Sequence, residues 1–181
     1  MHTFKLSNEK KEHLISTALQ LFDQFGFQNI SVNRIISDSK IAKKSFYKAF
    51  PSKDEFISEC LDVEVSQQKD SLLKILDKHD KNDHRKILQS IYQWHLQQRN
   101  KEIFTGTLLS RAVIEYWNIE EIQRKVQAFH TWKYEIIFNY LREAVDNEVT
   151  LRILVSGLEG MLLPGVANIL SWEEIQNLFN Y

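Results

Sequence analysis

An all-α fold in two parts is expected from three features of this sequence. Five Gly and two Pro in 181 residues leave little material for β-turns. Apolar residues recur at helical spacing along most of the chain, in segments opened by capping signals such as Ser52-Lys53-Asp54-Glu55. Residues 26–54 read as two short helices joined by a tight turn, with exposed lysines concentrated on the second. At 43% hydrophobic, the chain is long enough for one well-buried core plus a small appended domain. The boundary expected is an N-terminal three-helix unit over residues 1–53 and a larger helical unit over 54–181.

The first helix starts near Ser7 or Asn8, buries a stripe of Leu14, Leu21 and Phe25, and stops at Gly26, a residue suited to a positive φ. Ser31 caps the second, with Ile30 and Ile35 as a hydrophobic staple. Ile41 and Phe46 bracket Ala42 at the start of the third. Val32, Ile35 and Ile36 then face Phe46 and Phe50, which leaves Lys43, Lys44, Ser45, Tyr47 and Lys48 outward. After Pro51 a long helix carries Phe56, Ile57, Leu61, Val65, Leu72, Ile75 and Leu76 to about Asp77 and joins the two units. Lys78 to Asp83 is a polar loop. Ile87, Leu88, Ile91, Trp94 and His95 mark the next helix, and Phe104, Leu108, Leu109, Ala112, Val113 and Tyr116 another. Asn118-Ile119-Glu120-Glu121 reads as a second capping box, opening a helix from Ile122 to about Val145. Residues 149–170 are the most apolar stretch, followed by a short helix from Trp172 to Phe179.

A short helix with a basic outer face, set behind a second helix, is how a protein presents one element to a DNA groove. Lys43, Lys44 and Lys48 are candidates for phosphate contact, and Asn33 and Ser45 are the short polar side chains placed for base edges or nearby phosphates. Ser31 can cap its helix and donate to a phosphate together. Charge supports that end of the chain: residues 1–53 hold nine Lys/Arg against four Asp/Glu, while the remainder is net negative.

The ordered series Leu14, Ala18, Leu21, Phe22, Phe25, Gly26-Phe27, Ser31-Val32, Ile35, Ser45-Phe46-Tyr47, Phe50 and Ser52-Lys53 resembles the TetR family of bacterial transcriptional regulators over about residues 8–60. The resemblance implies a DNA-binding helix-turn-helix domain at 1–53 and a ligand-binding and dimerisation domain at 54–181. It implies a repressor whose homodimer sits on a pseudo-palindromic double-stranded operator and leaves when a small-molecule effector occupies the second domain. Tyr47 and Lys53 match positions that contact the DNA backbone in family members. The chain also departs from the pattern: Lys40 stands where Gly is usual in the turn, Lys44 where Gly is common, Ile36 and Ser39 where small apolar residues are usual, and Ala49 where His or Tyr often touches DNA. Lys40 is therefore expected to take a left-handed backbone at some cost.

By the same resemblance, Trp94, Phe104, Leu108, Trp117, Phe129 and Trp132 are candidate pocket residues, with His95 and Arg111 placed to orient a polar group. Leu154, Leu158, Met161, Leu162 and Trp172 are candidates for the dimer interface, where Gly157 and Gly160 would let a partner helix approach closely. The rival reading is a constitutive DNA-binding or protein-binding adaptor whose second domain only dimerises around a filled core.

Other functions find little support. Cys60, the single cysteine, sits among Phe56, Ile57 and Leu61 and reads as a buried thiol. His79, Asp80, Asp83 and His84 lie in a polar loop without the spacing of a helical metal site, so no metal or cofactor is expected. There is no nucleophile elbow, no Gly-rich loop after a strand and no His near the cysteine, so no enzyme is expected. No apolar run reaches the length of a membrane span, and the polar start lacks a signal-peptide core, so a cytoplasmic protein is expected.

Overall fold

The computed structural model describes residues 7–100, 104–144, 147–166 and 169–178. These form α1 (Asn8–Phe25), α2 (Val32–Ser39), α3 (Lys43–Ala49), α4 (Lys53–Leu76), α5 (His84–Gln98), α6 (Leu108–Glu115), α7 (Glu120–Leu141), α8 (Glu148–Gly160) and α9 (Trp172–Leu178), with no strand among the described residues.

The helix boundaries follow local chemistry. Ser31 accepts from the Arg34 amide at the start of α2, Ser52 from Glu55 at α4, Asp83 from Lys86 at α5 and Thr107 from Ser110 at α6. Asn118 does not cap α7. The N-cap there is Ile119, without a side-chain bond. The carboxylate of Glu121, which a capping box would turn back on its own helix, instead accepts from the Ser58 hydroxyl of α4 at 2.6 Å. Phe104 likewise lies outside a helix, in the segment before Gly106, whose φ is +94°. Its ring lies 4.6 Å beneath the Arg99 guanidinium. The apolar stretch after residue 149 is a helix only to Gly160, beyond which the chain turns through Pro164. The expected helix ends at Val145 and Phe179 lie outside the described residues.

Two apolar cores result. The first takes Leu14, Ala18 and Phe22 of α1, Ile35 of α2, Phe46 of α3 and Phe56, Ile57, Cys60 and Leu61 of α4. It also takes Leu108, Leu109 and Ala112 of α6 and Ile122, Val126 and Phe129 of α7, so the N-terminal helices are seated on the second unit. The other core joins Leu72 and Leu76 of α4 to Ile87, Leu88 and Ile91 of α5, Ile137 and Leu141 of α7, Leu154 and Leu158 of α8 and Ile175 of α9. At 24 residues, α4 is about 36 Å long and serves both cores.

Candidate nucleic-acid interface and ligand cavity

α2 and α3 form a helix-turn-helix whose seam is aromatic. Phe46 is fully buried and meets Phe56 at 5.0 Å between ring centroids, while Phe50 meets Phe56 at 4.8 Å. With Phe46 pointing in, helical geometry turns Lys43, Lys44, Tyr47 and Lys48 outward, and all four are exposed. Ser45 is half-buried at the edge of this face, and Ser31 and Asn33 are exposed at the start of α2. Lys40 ends α2 at φ +55° and ψ +28°, the left-handed conformation expected from its place in the turn. Lys53 points elsewhere. Its ammonium donates to the Phe27 carbonyl at 2.7 Å, and burial lowers its pKa against the opposing charges of Asp54 and Glu115. It ties the start of α4 to the α1–α2 connection rather than reaching outward.

That connection is also held from α6. Glu115 accepts from the Gln28 amide at 2.8 Å and the Phe27 amide at 3.3 Å, while the Gln28 side chain donates back to the Glu115 carbonyl. One turn earlier, Arg111 donates to the carbonyl of Asp23 at 3.0 Å and to its carboxylate at 3.2 Å. Together these bonds latch α6 to the end of α1 and the turn that follows it.

The opposite side of α6 borders a cavity of about 530 Å³. Thr107 lines it from the cap of α6, Ser110, Val113 and Ile114 from α6, His130 and Tyr134 from α7, Ser156, Glu159 and Gly160 from α8, and Leu162, Leu163 and Pro164 from the turn beyond. Its walls are apolar, and among the described residues that line it Glu159 is the one carboxylate. Behind Glu159 lies Lys133, 1% exposed, with Nζ at 2.7 Å from Oε2 and positioned over the rings of Phe129 and Trp94. His130 Nδ1 is 3.4 Å from the same oxygen, and the buried His95 places Nε2 at 3.5 Å from Oε1. Burial alone would raise the Glu159 pKa, but bonds from His130 and His95 and the charge of Lys133 outweigh it and hold the carboxyl well below the usual range.

The sequence comparisons match the same N-terminal helix-turn-helix. The family model described as bacterial regulatory proteins, tetR family, matches residues 14–60. Residues 14–60 carry the N-terminal domain of that family. It is 28% identical over 160 residues to YuxN of Bacillus subtilis, an HTH-type transcriptional regulator, covering 86% of this chain and 54% of that protein. It is 30% identical over 118 residues to the HTH-type transcriptional repressor NemR of Escherichia coli K12, covering 65% of this chain and 59% of NemR. The chain thus spans little more than half the length of these curated relatives. The crystal structure of a TetR-family regulator from Streptomyces coelicolor shares the fold, with a TM-score of 0.72 and 21% identity over 87% of this chain and 78% of that one. Reduced E. coli NemR does so at 0.71 and 20%, over 84% and 85%.

Within this fold, none of the eight candidate pocket residues lines the cavity. Trp94, His95 and Phe129 form the layer behind Glu159, around Lys133. Leu108 is buried in the first core, and Trp132 stacks on Phe129 with Lys69 over its face. Arg111 is engaged with Asp23, Phe104 with Arg99, and Trp117 is 77% exposed beyond α6. The lining comes instead from smaller residues in register with them, notably Ser110, Val113 and Ile114, which carry no aromatic signal in the sequence. Leu154, Leu158, Met161 and Leu162 are buried in the core of their own chain, and Trp172 packs against Tyr92 at 5.6 Å. With the inward side of α8 occupied, Val149 and Ile153 are the apolar residues exposed on its solvent side.

His79 and Asp83 are engaged locally, with Ser90 at 2.7 Å and with Lys86, and no cluster of three metal-binding side chains occurs among the described residues. No described helix is long and apolar enough to cross a membrane.

Proposed function

We propose that this protein is a cytoplasmic DNA-binding transcriptional regulator, a repressor that a small-molecule effector releases from its operator. Two copies dock α3 into successive major grooves, about 34 to 36 Å apart, so the operator is pseudo-palindromic. Lys43, Lys44 and Lys48 neutralise phosphates, Tyr47 adds a backbone contact, and Ser45 and Asn33 reach base edges or the flanking phosphates. Ser31, whose hydroxyl already caps α2, donates to a phosphate at the same helix start.

One observation carries the regulatory half of this reading: α6 borders the cavity through Ser110 and Ile114 and latches the N-terminal helices through Arg111 and Glu115. A ligand that favours a shifted α6 changes the spacing of the two α3 helices, and linkage then weakens DNA binding, typically by about 1–3 kcal/mol. The test is protection mapping of the DNA flanking the protein's own gene. The expected result is a footprint with two half-sites one helical turn apart, and uniform, sequence-independent protection would overturn the reading.

A further inference from the structure

The cavity beside α6 has an uneven chemistry that narrows what it can accept. Its walls are formed by Val113, Ile114, Leu162, Leu163 and Pro164, which favour a hydrocarbon or aromatic body. The ionised group that meets a ligand there is Glu159, 22% exposed, whereas its counter-ion Lys133 is 1% exposed and lies behind it. Lys133 and His130 both approach Oε2, and among the described residues the contact of Oε1 is His95 at 3.5 Å. A carboxylate oxygen accepts more than one hydrogen bond, so Oε1 retains acceptor capacity. An anionic ligand would meet the carboxylate before the shielded ammonium. A protonated amine would meet a preformed acceptor whose alignment Lys133 already fixes, with Tyr134 on the same wall as an aromatic neighbour.

We infer that this cavity binds hydrophobic amines, with the ligand ammonium paired to Glu159 and its apolar body against α6 and the turn after α8. The assignment rests on the effector reading above only for its consequence on DNA, and binding is tested separately from release. Calorimetric titration of the full-length protein with phenylbutylamine, phenylbutanol and phenylbutyrate keeps the body constant and changes the head group. The amine binds most tightly, by about tenfold over the alcohol, as expected for one charged hydrogen bond. The carboxylate binds weakest.

E159Q removes the preference for the amine. Because that change strands the Lys133 ammonium, the double variant K133M/E159Q, checked for helicity by circular dichroism, is the companion: folded and still binding the alcohol, it also loses the amine preference. Equal binding of all three heads, a preference for the carboxylate, or an amine preference that survives in the folded double variant overturns the assignment. So does amine binding that occurs only as the oligomer dissociates, since the groove is then a contact between two copies. Selective amine binding that leaves the protected DNA fragment bound supports the cavity assignment and overturns the effector reading.

Discussion

Lys40 holds a positive φ where the helix-turn-helix must turn sharply, the one non-glycine to do so among the described residues. The left-handed conformation costs an L-residue about 1–2 kcal/mol, and glycine returns about 0.5–1 kcal/mol of that through greater unfolded-state entropy. Lys40→Gly is therefore expected to leave stability unchanged or raise it by up to about 1 kcal/mol. Thermal melts of the two proteins check this, and a clear loss would mean the lysine side chain stabilises the fold in another way. The neighbouring Lys43 and Lys44 are exposed, so replacing both with Ala should spare the fold. It should weaken operator binding and reduce the slope of log K against log salt by about one per lost phosphate contact. An unchanged slope in filter-binding titrations would remove α3 from the interface. These positions were legible in the sequence because their neighbours Phe46 and Phe50 fix the inward side of a short helix. Lys53 was not, because its partner is a backbone carbonyl 26 residues away.

α6 is only eight residues long, and a helix of that length is marginal without tertiary support. Its position is set by what grips each side. Glu115→Ala leaves the Phe27 and Gln28 amides without their acceptor, which should cost about 1–2 kcal/mol in urea melts. In the same variant, ligand binding at the cavity should persist while its effect on DNA affinity shrinks, and full retention of that effect would show that α6 is not the link.

The buried pair on α7 and α8 has a pH signature. The folded Glu159 carboxyl is held below its free value of 4.5. Its contribution to stability is therefore complete above that pH and is lost as pH falls through the folded value. Between about pH 6 and pH 3.5, Glu159→Gln should lose less stability than the parent in denaturant melts; equal losses would contradict the ion pair. Neither the latch nor this pair could be read from periodicity, since Glu115 meets Gln28 across 87 residues and Lys133 and Glu159 look like ordinary solvent-facing charges on their helices. The false capping box at Asn118 has a related origin: the local pattern was sound, but Glu121 was engaged by another helix.

At the scale of the whole molecule, an assembly of two copies should use the outer side of α8. Ile153 is 63% exposed and Leu158 fully buried, so the two positions separate an interface from a core. Ile153→Glu should give a folded monomer with weak operator binding, whereas Leu158→Glu should unfold the C-terminal unit, because an unpaired buried charge has no compensation. Sedimentation with circular dichroism reads both, and a folded dimer of Ile153→Glu would move the interface elsewhere.

The N-terminal helices end near Lys53, but their core does not. Phe56, Ile57, Cys60 and Leu61 of α4 fill it, and Tyr116 closes it from the far side, edge-on to Phe27 at 5.8 Å. Excision at residue 53 would strip Phe46 and Phe50 of their aromatic partner, a loss comparable to truncating a core phenylalanine, about 3–5 kcal/mol. The reading head is therefore not a detachable cassette. A chimaera that grafts a new operator preference onto this sensor must carry the first turns of α4 and a matched α6 surface, or confine the exchange to the outward residues of α3.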